Sequence, residues 1–378
     1  MLAPNHTVAE FALPALDARA LARRAALGAL LAVVAIAAAL LAQSHVHALA
    51  DGVRRGLGLN PGWAAVAVVF ECVSLAGYVG LLSLVAGRAA PRVGVRESAQ
   101  ITLAGAAATR LLPTAGAGGL ALALWALRQA GLRSRAATRT LLVFLVVLYS
   151  VFLAAIVLSG AALALGLVSN DGPAELSAIP AAAAALGIVF CVALASHRGV
   201  VPDAGESGDP DGDERRRRIT ASARFVGDAV RDASGLVRTG DPRLAGAIAY
   251  WAFDAAVLWA MLHAVGSPPV LPVIVLAYFV GQVANTVPIP GSVSGGIAGV
   301  LIAFGVAPEL ALPSVLAYRT VAVWLPSPLA IAAVPALRAT IARWRRDASP
   351  ARSLRPACEN IQAREKSGNL APAVVTVN

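Results

Sequence analysis

The sequence is poor in charge: Asp, Glu, Lys and Arg together make up only 14% of its 378 residues. A soluble domain carries about 25% charged residues on average, so much of this chain must face a solvent other than water. Apolar residues make up 58%, and several apolar runs reach the roughly 20 residues that cross a hydrocarbon core of about 30 Å. This composition excludes an ordinary soluble protein and predicts several membrane crossings.

Lysine is almost absent, since Lys366 is its one instance, and the net charge of +10 therefore comes from arginine. Basic surpluses of this kind also occur in nucleic-acid-binding proteins. Here the arginines lie between apolar runs, where positive loops fix the orientation of a membrane protein. We therefore expect membrane lipids with anionic headgroups as partners, and no nucleic acid.

The motifs of common metal and catalytic sites are also missing. The cysteines Cys72, Cys191 and Cys358 show no metal-ligand spacing. The sequence has no P-loop, no dinucleotide fingerprint and no nucleophile elbow. We therefore expect a protein that is not an enzyme and that uses no metal and no cofactor.

Six apolar segments have the length and composition of full transmembrane helices. They are Ala25–Gln43, Gly62–Ala86, Thr140–Val168, Ala178–Ser196, Leu244–Val265 and Pro313–Leu337. The first is too long for a signal-peptide core of about 7–15 residues, so we interpret it as a retained helix. We expect a cytoplasmic N-terminal segment over residues 1–24, a membrane domain over 25–340 and a disordered cytoplasmic tail over 341–378.

The membrane domain contains one long polar insertion, an arginine-rich loop over residues 197–243. Its part Pro202–Arg218 has the composition of a disordered linker and ends in four arginines. The following segment, Ile219–Val237, has the pattern of an amphipathic helix that lies on a membrane surface. The arginines place this loop on the cytoplasmic side.

Two further apolar stretches, Ser98–Leu127 and Val270–Phe304, are interrupted near their centres. The interrupting residues are Pro113, Gly116, Gly118 and Gly119 in the first stretch, and Pro288, Pro290, Gly291, Gly295 and Gly296 in the second. Proline removes a backbone donor and glycine loosens a helix, so neither centre is expected to be a continuous helix. Irregular backbone at membrane depth must be buried in protein or line a wet cavity.

The flanking charges give each interrupted stretch a direction. Basic loops lie on both sides of Ser98–Leu127, whereas the loops on both sides of Val270–Phe304 contain no Lys or Arg. Under the positive-inside rule, the first stretch enters from the cytoplasm and returns there, and the second enters from outside and returns outside. Both are therefore predicted to be re-entrant hairpins, and both chain termini are predicted to be cytoplasmic.

The two hairpins also resemble each other in the order of their residues. Each has a polar residue, a proline three positions later, a Gly-Gly pair and then an Arg-Thr dipeptide, which is Arg139-Thr140 in one half and Arg319-Thr320 in the other. Three spans separate them, and an odd number inverts their orientation. The sequence therefore predicts an all-α polytopic membrane protein with about six full transmembrane helices and two re-entrant Gly/Pro-broken hairpins in an inverted repeat. Broken elements in corresponding positions indicate a transporter's substrate site, although Gly and Pro are frequent in transmembrane helices generally.

Charged side chains inside apolar spans are costly, which makes each of them a candidate for function. They are Glu71, Arg110, Asp254 and Arg319. In one interpretation the acids and arginines pair with each other and hold the helices together. In the other, an arginine, foremost Arg110, binds an anionic headgroup through its guanidinium fork.

Neutral polar groups near the breaks are further candidates. Gln282 and Asn285 share a helical face before the second break, where they either satisfy freed backbone groups or touch a headgroup. Helix N-termini that follow such breaks offer free N–H groups and a positive dipole end to an anion. The alternative is that the glycines only allow close helix packing.

Several short motifs recur in one known family. They are Asn285…Pro288-Ile-Pro290-Gly291…Gly295-Gly296, Tyr318-Arg319-Thr320…Trp324-Leu-Pro326, Trp251-Ala-Phe-Asp254 and, in the first half, Arg110…Pro113…Gly118-Gly119 with Gly131. They resemble elements of the lysylphosphatidylglycerol synthase transmembrane-region family, also described as flippase-like domains, over about residues 25–340. The chain departs from the family pattern at Ser292 and Ser294, where glycine is usual, and at Leu120–Leu124, where an acid and an arginine are common.

The resemblance implies a lipid translocator, because the family's membrane region is linked to the movement of lipids between leaflets. The aminoacyl-transferase domain of some members is not found in this sequence, so we do not expect synthase activity. We hypothesise that the protein moves an anionic phospholipid or a polyprenyl-phosphate-linked lipid across the bacterial cytoplasmic (inner) membrane. In this hypothesis Arg110 and Arg319 bind the headgroup phosphate, and Asp254 and Glu71 balance charge or carry a proton.

Two other functions remain open at the level of sequence. One is a secondary transporter of a small anionic solute, which needs a cavity closed to lipid. The other is a non-transporting membrane partner of an envelope-lipid or glycolipid synthase, in which the arginine-rich loop recruits a lipid- or glycan-modifying enzyme. The sequence predicts no oligomeric state.

Overall fold

A computed structural model describes residues 61–111, 117–169, 172–196, 210–286 and 291–348. These residues are mostly helical, and no strand occurs within the described ranges. We number the helices α1 (Pro61–Ala89), α2 (Val95–Leu111), α3 (Ala117–Gln129), α4 (Ser134–Ala164), α5 (Ala174–Ser196), α6 (Pro210–Arg238), α7 (Ala245–Val265), α8 (Leu271–Val283), α9 (Ser292–Ala303), α10 (Pro308–Arg319) and α11 (Ser327–Ala348).

Five helical segments are long and apolar enough to cross a membrane. They are Pro61–Ala89, Ser134–Ala164, Ala174–Ser196, Pro242–Val265 and Pro308–Asp347. They coincide with five of the six predicted spans, and the other, Ala25–Gln43, lies outside the described residues, as do residues 1–24 and 349–378. The protein is therefore a multi-pass membrane protein.

The last span is longer than the sequence predicted. It covers 40 residues, Pro308–Asp347, where the apolar run suggested Pro313–Leu337. The helix continues from α10 through a π-helical turn, Thr320–Trp324, into α11. The prediction of a disordered tail from residue 341 is therefore wrong for residues 341–348, which are helical. Hydropathy marks only the apolar part of a helix, so the sequence did not predict the basic turns at its end.

Both predicted interruptions coincide with helix ends. Helix α2 ends at Leu111 and α3 begins at Ala117, while α8 and a short 3₁₀ turn end at Thr286 and α9 begins at Ser292. The residue before α9, Gly291, has φ +83°, a left-handed conformation that glycine adopts without a Cβ clash. Four of the predicted breaking residues do not break a helix: Gly118 and Gly119 lie inside α3, and Gly295 and Gly296 lie inside α9. A glycine inside a helix costs only about 0.5–1 kcal/mol relative to alanine, which the helix tolerates. Pro113, Gly116, Pro288 and Pro290 lie outside the described ranges.

One end of the described helices is rich in arginine, and we call it the arginine end. The Nη2 atom of Arg88, near the end of α1, lies 3.9 Å from Oδ2 of Asp241, just before α7. Arg243 donates to Asp241 from its side chain and its backbone N–H, and these hydrogen bonds lower the pKa of Asp241 to about 2. On the same end, Arg345 Nε of α11 donates to Oε1 of Gln129 at the end of α3 (3.0 Å).

The opposite end is marked by aromatic contacts. Trp63 at the start of α1 packs on Trp259 and His263 near the end of α7, with ring centroids 5.4 and 4.9 Å apart. Phe304, which follows α9, packs against Gly172 in the segment before α5. The α8–α9 hairpin therefore opens toward this end, whereas the α2–α3 hairpin opens toward the arginine end.

The predicted disordered linker is wrong from Pro210 onward. Helix α6 begins there and contains the four arginines Arg215–Arg218. Three acidic residues lie among its first five, and acidic groups near a helix N-terminus are stabilised by the helix dipole. The acidic composition that predicted a disordered linker is therefore also compatible with the first turn of a helix.

The predicted helix Ile219–Val237 forms part of α6, and one face of it packs on protein; its place on a membrane surface stays a prediction. Its buried residues include Ala229, Val230 and Ala233, and it contacts α4 and α5. Asp232 accepts two hydrogen bonds from Arg139 of α4, at 2.5 and 2.9 Å. These contacts seat α6 across helix ends at the arginine end.

The helices of the two halves exchange contacts. Helix α1 packs along α7, while α4 packs on α8 and α11 packs on α2. One close approach joins α1 and α7, where a Cβ on Gly77 would lie 2.7 Å from the carbonyl oxygen of Gly246 and one on Gly246 would lie still closer to that of Gly77. Beside it, Ser74 Oγ donates to the Tyr250 carbonyl (2.8 Å). Close backbone packing of this kind drives helix association in lipid, where burying apolar side chains gains little.

We predict that Gly77→Ala destabilises the protein by about 1–3 kcal/mol, as overpacking typically does, because the new methyl group meets backbone atoms of α7. The matched control is Gly80→Ala, one turn later in α1, where a Cβ meets nothing within 4 Å. The control should leave the thermal midpoint in detergent unchanged or raise it, since alanine favours a helix by up to about 1 kcal/mol over glycine. Equal midpoints for the two variants would show that the glycine contact does not hold α1 to α7.

Candidate functional site

A buried carboxyl group lies near the middle of α7. Asp254 is 9% exposed, and its Oδ2 accepts a hydrogen bond from the Tyr278 hydroxyl of α8 at 2.5 Å. The Tyr318 hydroxyl of α10 is a second, longer donor to the same oxygen, at 3.4 Å. Oδ1 is buried and has no hydrogen-bond partner within the described part of the chain. Three helices thus converge on one carboxyl group.

A chain of polar groups leads away from this carboxyl. Gln282 Nε2 donates to the Tyr318 hydroxyl at 3.2 Å, and that hydroxyl in turn donates to Asp254. Gln282 follows Tyr278 by four residues on α8, so both side chains lie on one helical face. Because Gln282 is half-buried, this series of hydrogen bonds runs from the enclosed carboxyl group to a more accessible amide group. We call Asp254, Tyr278, Tyr318 and Gln282 the Asp254 cluster.

Arg319 lies at the edge of this cluster. It follows Tyr318 directly, is half-buried and interacts electrostatically with Asp254. No ion pair within 4 Å joins the two among the described side chains, so the arginine is near the acid without neutralising it directly. The π-helical turn Thr320–Trp324 begins immediately after it, and such turns are frequent at functional sites.

Glu71 is the second buried acid of the region. It lies on α1, is 4% exposed, and interacts electrostatically with Tyr318 and Tyr250. Two carboxyl groups and an arginine thus lie inside membrane-spanning helices, where ionisable groups are expensive and mark sites of function.

The first break is organised by Thr109, which was not among the predicted site residues. Thr109 Oγ1 accepts a hydrogen bond from Gly119 N–H at 3.0 Å and donates to the Gly105 carbonyl at 3.0 Å. It therefore satisfies one of the free backbone donors at the start of α3. A Cβ on Gly105 would lie 3.5 Å from Gly119 Cα, so the hairpin arms meet at these glycines. The position of Thr109 could have indicated this role, because the threonine lies directly before the candidate Arg110, near the end of its helix.

The second hairpin has the corresponding contact. A Cβ on Gly296 would lie 3.1 Å from Gly281 Cα, and one on Gly281 would lie 2.7 Å from the backbone N of Ile297. In both hairpins the second glycine of the Gly-Gly pair thus packs on a glycine of the preceding arm. A Cβ on Gly295 would meet nothing within 4 Å, so the first glycine of the second pair is not required by packing.

Four of the six predicted substrate-binding residues lie in one region: Glu71, Asp254, Gln282 and Arg319. Asn285 is exposed on the 3₁₀ turn that follows α8. Arg110 lies one residue before the end of α2, and its side chain is outside the described part of the structure. Tyr278 and Tyr318 were not predicted as site residues, although one lies a turn from Gln282 and the other next to Arg319. Tyrosine in an apolar helix gave no signal of its own, because it is also an ordinary core residue.

We predict that Tyr278→Phe lowers stability by about 1–3 kcal/mol, the usual effect of leaving a buried polar group without its hydrogen bond. The loss should be smaller when Asp254 is already Asn, because the two side chains act as a unit. Tyr149→Phe is the matched control, since Tyr149 is 47% exposed on α4. Thermal midpoints of the single and double variants measure the coupling, and additive effects would contradict the hydrogen bond as a determinant of stability.

Comparison with known proteins agrees with the motifs in the sequence. No curated protein matches the chain. The model of the family described as the lysylphosphatidylglycerol synthase TM region matches residues 24–330, a range that includes α1 to α10 and the Asp254 cluster. The predicted resemblance is thereby confirmed, and the chain belongs to the lysylphosphatidylglycerol synthase transmembrane-region family.

Proposed function

We propose that this protein moves an anionic phospholipid or a polyprenyl-phosphate-linked lipid between the leaflets of a bacterial cytoplasmic membrane. The observation that carries the proposal is the Asp254 cluster, with Glu71 and Arg319 at its edge, inside helices that cross a membrane. Such groups persist in spans because they serve a polar substrate, an ion or a proton. The description of the family names lysylphosphatidylglycerol synthase, and lysylphosphatidylglycerol is a charged phospholipid. This favours a lipid as the substrate.

We further propose that the two halves form an inverted repeat of six spans and two re-entrant hairpins, with Ala25–Gln43 as the first span. Three features support this arrangement. The hairpins open toward opposite ends, the glycine contacts Gly105–Gly119 and Gly281–Gly296 correspond, and α4 contacts α8 as α11 contacts α2. In transporters built this way the substrate site lies between the repeats, at the broken helices.

In this mechanism the headgroup crosses beside the hairpins while the acyl chains stay in lipid. Arg319, and Arg110 at the end of α2, bind the phosphate, because guanidinium groups match its geometry bidentately. Asn285 and Gln282 supply neutral hydrogen bonds to the headgroup. Asp254 and Glu71 balance the charge of the arginines or carry a proton. No covalent bond changes, so we assign no catalytic residue, no metal and no cofactor.

Lipids that co-purify with the protein in mild detergent test the substrate assignment. We expect mass spectrometry to find one anionic lipid class enriched over its share of the membrane, and Arg110→Ala and Arg319→Gln to lose that enrichment. Arg224→Ala, at an exposed position of α6, is the control and should keep it. Thermal midpoints of all three variants establish that each is folded.

Bulk lipid composition in the wild-type protein would count against a lipid substrate and favour a small anionic solute. Enrichment that survives both arginine substitutions would instead leave the arginines as structural partners of the acids. In that case a membrane protein that recruits a lipid- or glycan-modifying enzyme becomes the better account.

Orientation is testable with single cysteines. Two variants are needed, each with one cysteine. In the first, Cys72 and Cys191 are replaced by serine, and Cys358 reports on the tail. In the second, Cys358 is also replaced by serine, and Ser267→Cys reports on the loop after α7. An impermeant maleimide should label the Ser267→Cys protein in intact cells and label Cys358 only after the membrane is opened, because the arginine end faces the cytoplasm. The reverse pattern would overturn the proposed orientation.

A further inference from the structure

A second group of arginines lies away from the Asp254 cluster. A cleft of about 910 Å³ opens at the arginine end between α2, α3 and α11. The Asp254 cluster involves α7, α8 and α10 instead, so the two places have only the last span in common, with the cluster at α10 and the cleft at α11. Among the described residues that line the cleft, none is acidic.

The charge of the cleft comes from five arginines: Arg96, Arg338, Arg343, Arg345 and Arg346. Three of them, Arg96, Arg338 and Arg346, are exposed and have no hydrogen-bond acceptor within the described ranges. They come from two helices that are far apart in the sequence, α2 and α11, so the cleft exists only in the folded protein. Helix α11 supplies four of the five arginines and α2 supplies Arg96, so both helices contribute charge to the cleft.

The floor of the cleft holds an arginine in place without neutralising it. Thr340 Oγ1 donates to Gln100 Oε1 at 2.9 Å, and both residues are buried. Arg343 Nη2 donates to the same threonine oxygen at 2.9 Å. Because the threonine is uncharged, this hydrogen bond orients the guanidinium and leaves its positive charge available to an anion.

The walls of the cleft distinguish a lipid from a free anion. Ala336, Ala339, Ile341 and Ala342 line it beside the arginines, and a soluble phosphate gains nothing from such apolar surface. Trp125, also on the wall, is 41% exposed, as aromatic residues are at headgroup level. The volume of about 910 Å³ falls within the 300–1,000 Å³ typical of small-molecule sites, which leaves room for a headgroup and its glycerol.

We propose that this cleft is a separate binding site for the phosphodiester headgroup of an anionic phospholipid from the leaflet at the arginine end. The arginines bind the phosphate, and the alanine and tryptophan wall contacts the glycerol and the upper acyl chains. Binding at this site does not require lipid movement by the Asp254 cluster, so the site is tested independently of the proposed function.

The test measures binding of phosphatidylglycerol to the full-length protein in neutral detergent, with phosphatidylcholine as the reference lipid. Arg338→Gln/Arg346→Gln should weaken phosphatidylglycerol binding by about thirtyfold, the effect expected of two arginines at an anionic lipid surface. The matched control is Arg224→Gln/Arg238→Gln, which removes the same charge from exposed positions of α6. The control should bind within about twofold of wild type, since its arginines do not line the cleft.

Three results would overturn the site. Equal weakening in both double variants would reduce the binding to general attraction by basic surface, and equal affinity for the two lipids would remove the role of net charge. Displacement of the bound lipid by free glycerol phosphate, as effective as displacement by the lipid itself, would identify a soluble anion as the ligand.

If the thermal midpoint shows that the Arg338→Gln/Arg346→Gln protein does not fold, Arg96→Gln on α2 takes its place. This variant should weaken binding about fivefold.

Discussion

The structure depends on close backbone approach between helices. Helices in lipid gain little by burying apolar side chains, so small residues must bring their backbones together. Among the described helices, three glycine–glycine pairs do this: Gly77 with Gly246 between α1 and α7, Gly105 with Gly119, and Gly281 with Gly296. The first joins the two halves, and each of the others closes one hairpin. With these contacts in place, α1, α7, α8 and α10 lie near enough for a polar cluster to form between them.

Two polar regions of different character follow from this packing. The Asp254 cluster is enclosed, and its carboxyl group is held by tyrosine hydroxyls with no ion pair among the described side chains. The cleft at the arginine end is open, basic and partly apolar. Helix α2 links the cleft to the first break, because Arg110 follows Gln100 by ten residues, or about 15 Å along a helix. An anionic lipid bound in the cleft is thus one helix length from the place where the first hairpin is interrupted.

Much of the fold was predictable because hydropathy and helix-breaking residues act locally. The five described spans and both interruptions follow from apolar run length and from Pro and Gly. Glu71, Asp254, Gln282 and Arg319 stood out since polar groups in spans are costly. Tyr278, Tyr318 and Thr109 were missed because their roles depend on partners up to 64 residues away or across a break. The cleft was also not predicted, because it lies between α2 and α11, which are far apart in the sequence. The first part of α6 was predicted as a linker because its composition suits both a helix and a disordered segment.

The most direct test of the account is the transbilayer exchange of a fluorescent phosphatidylglycerol in vesicles that contain the purified full-length protein. Quenching of the outer leaflet reports how much labelled lipid has arrived from the inner one. The account predicts exchange well above that of protein-free vesicles, and its loss in the Arg319→Gln protein, which keeps its fold by thermal midpoint. Exchange no faster than in protein-free vesicles, across anionic lipid headgroups, would contradict the claim that this protein moves lipids.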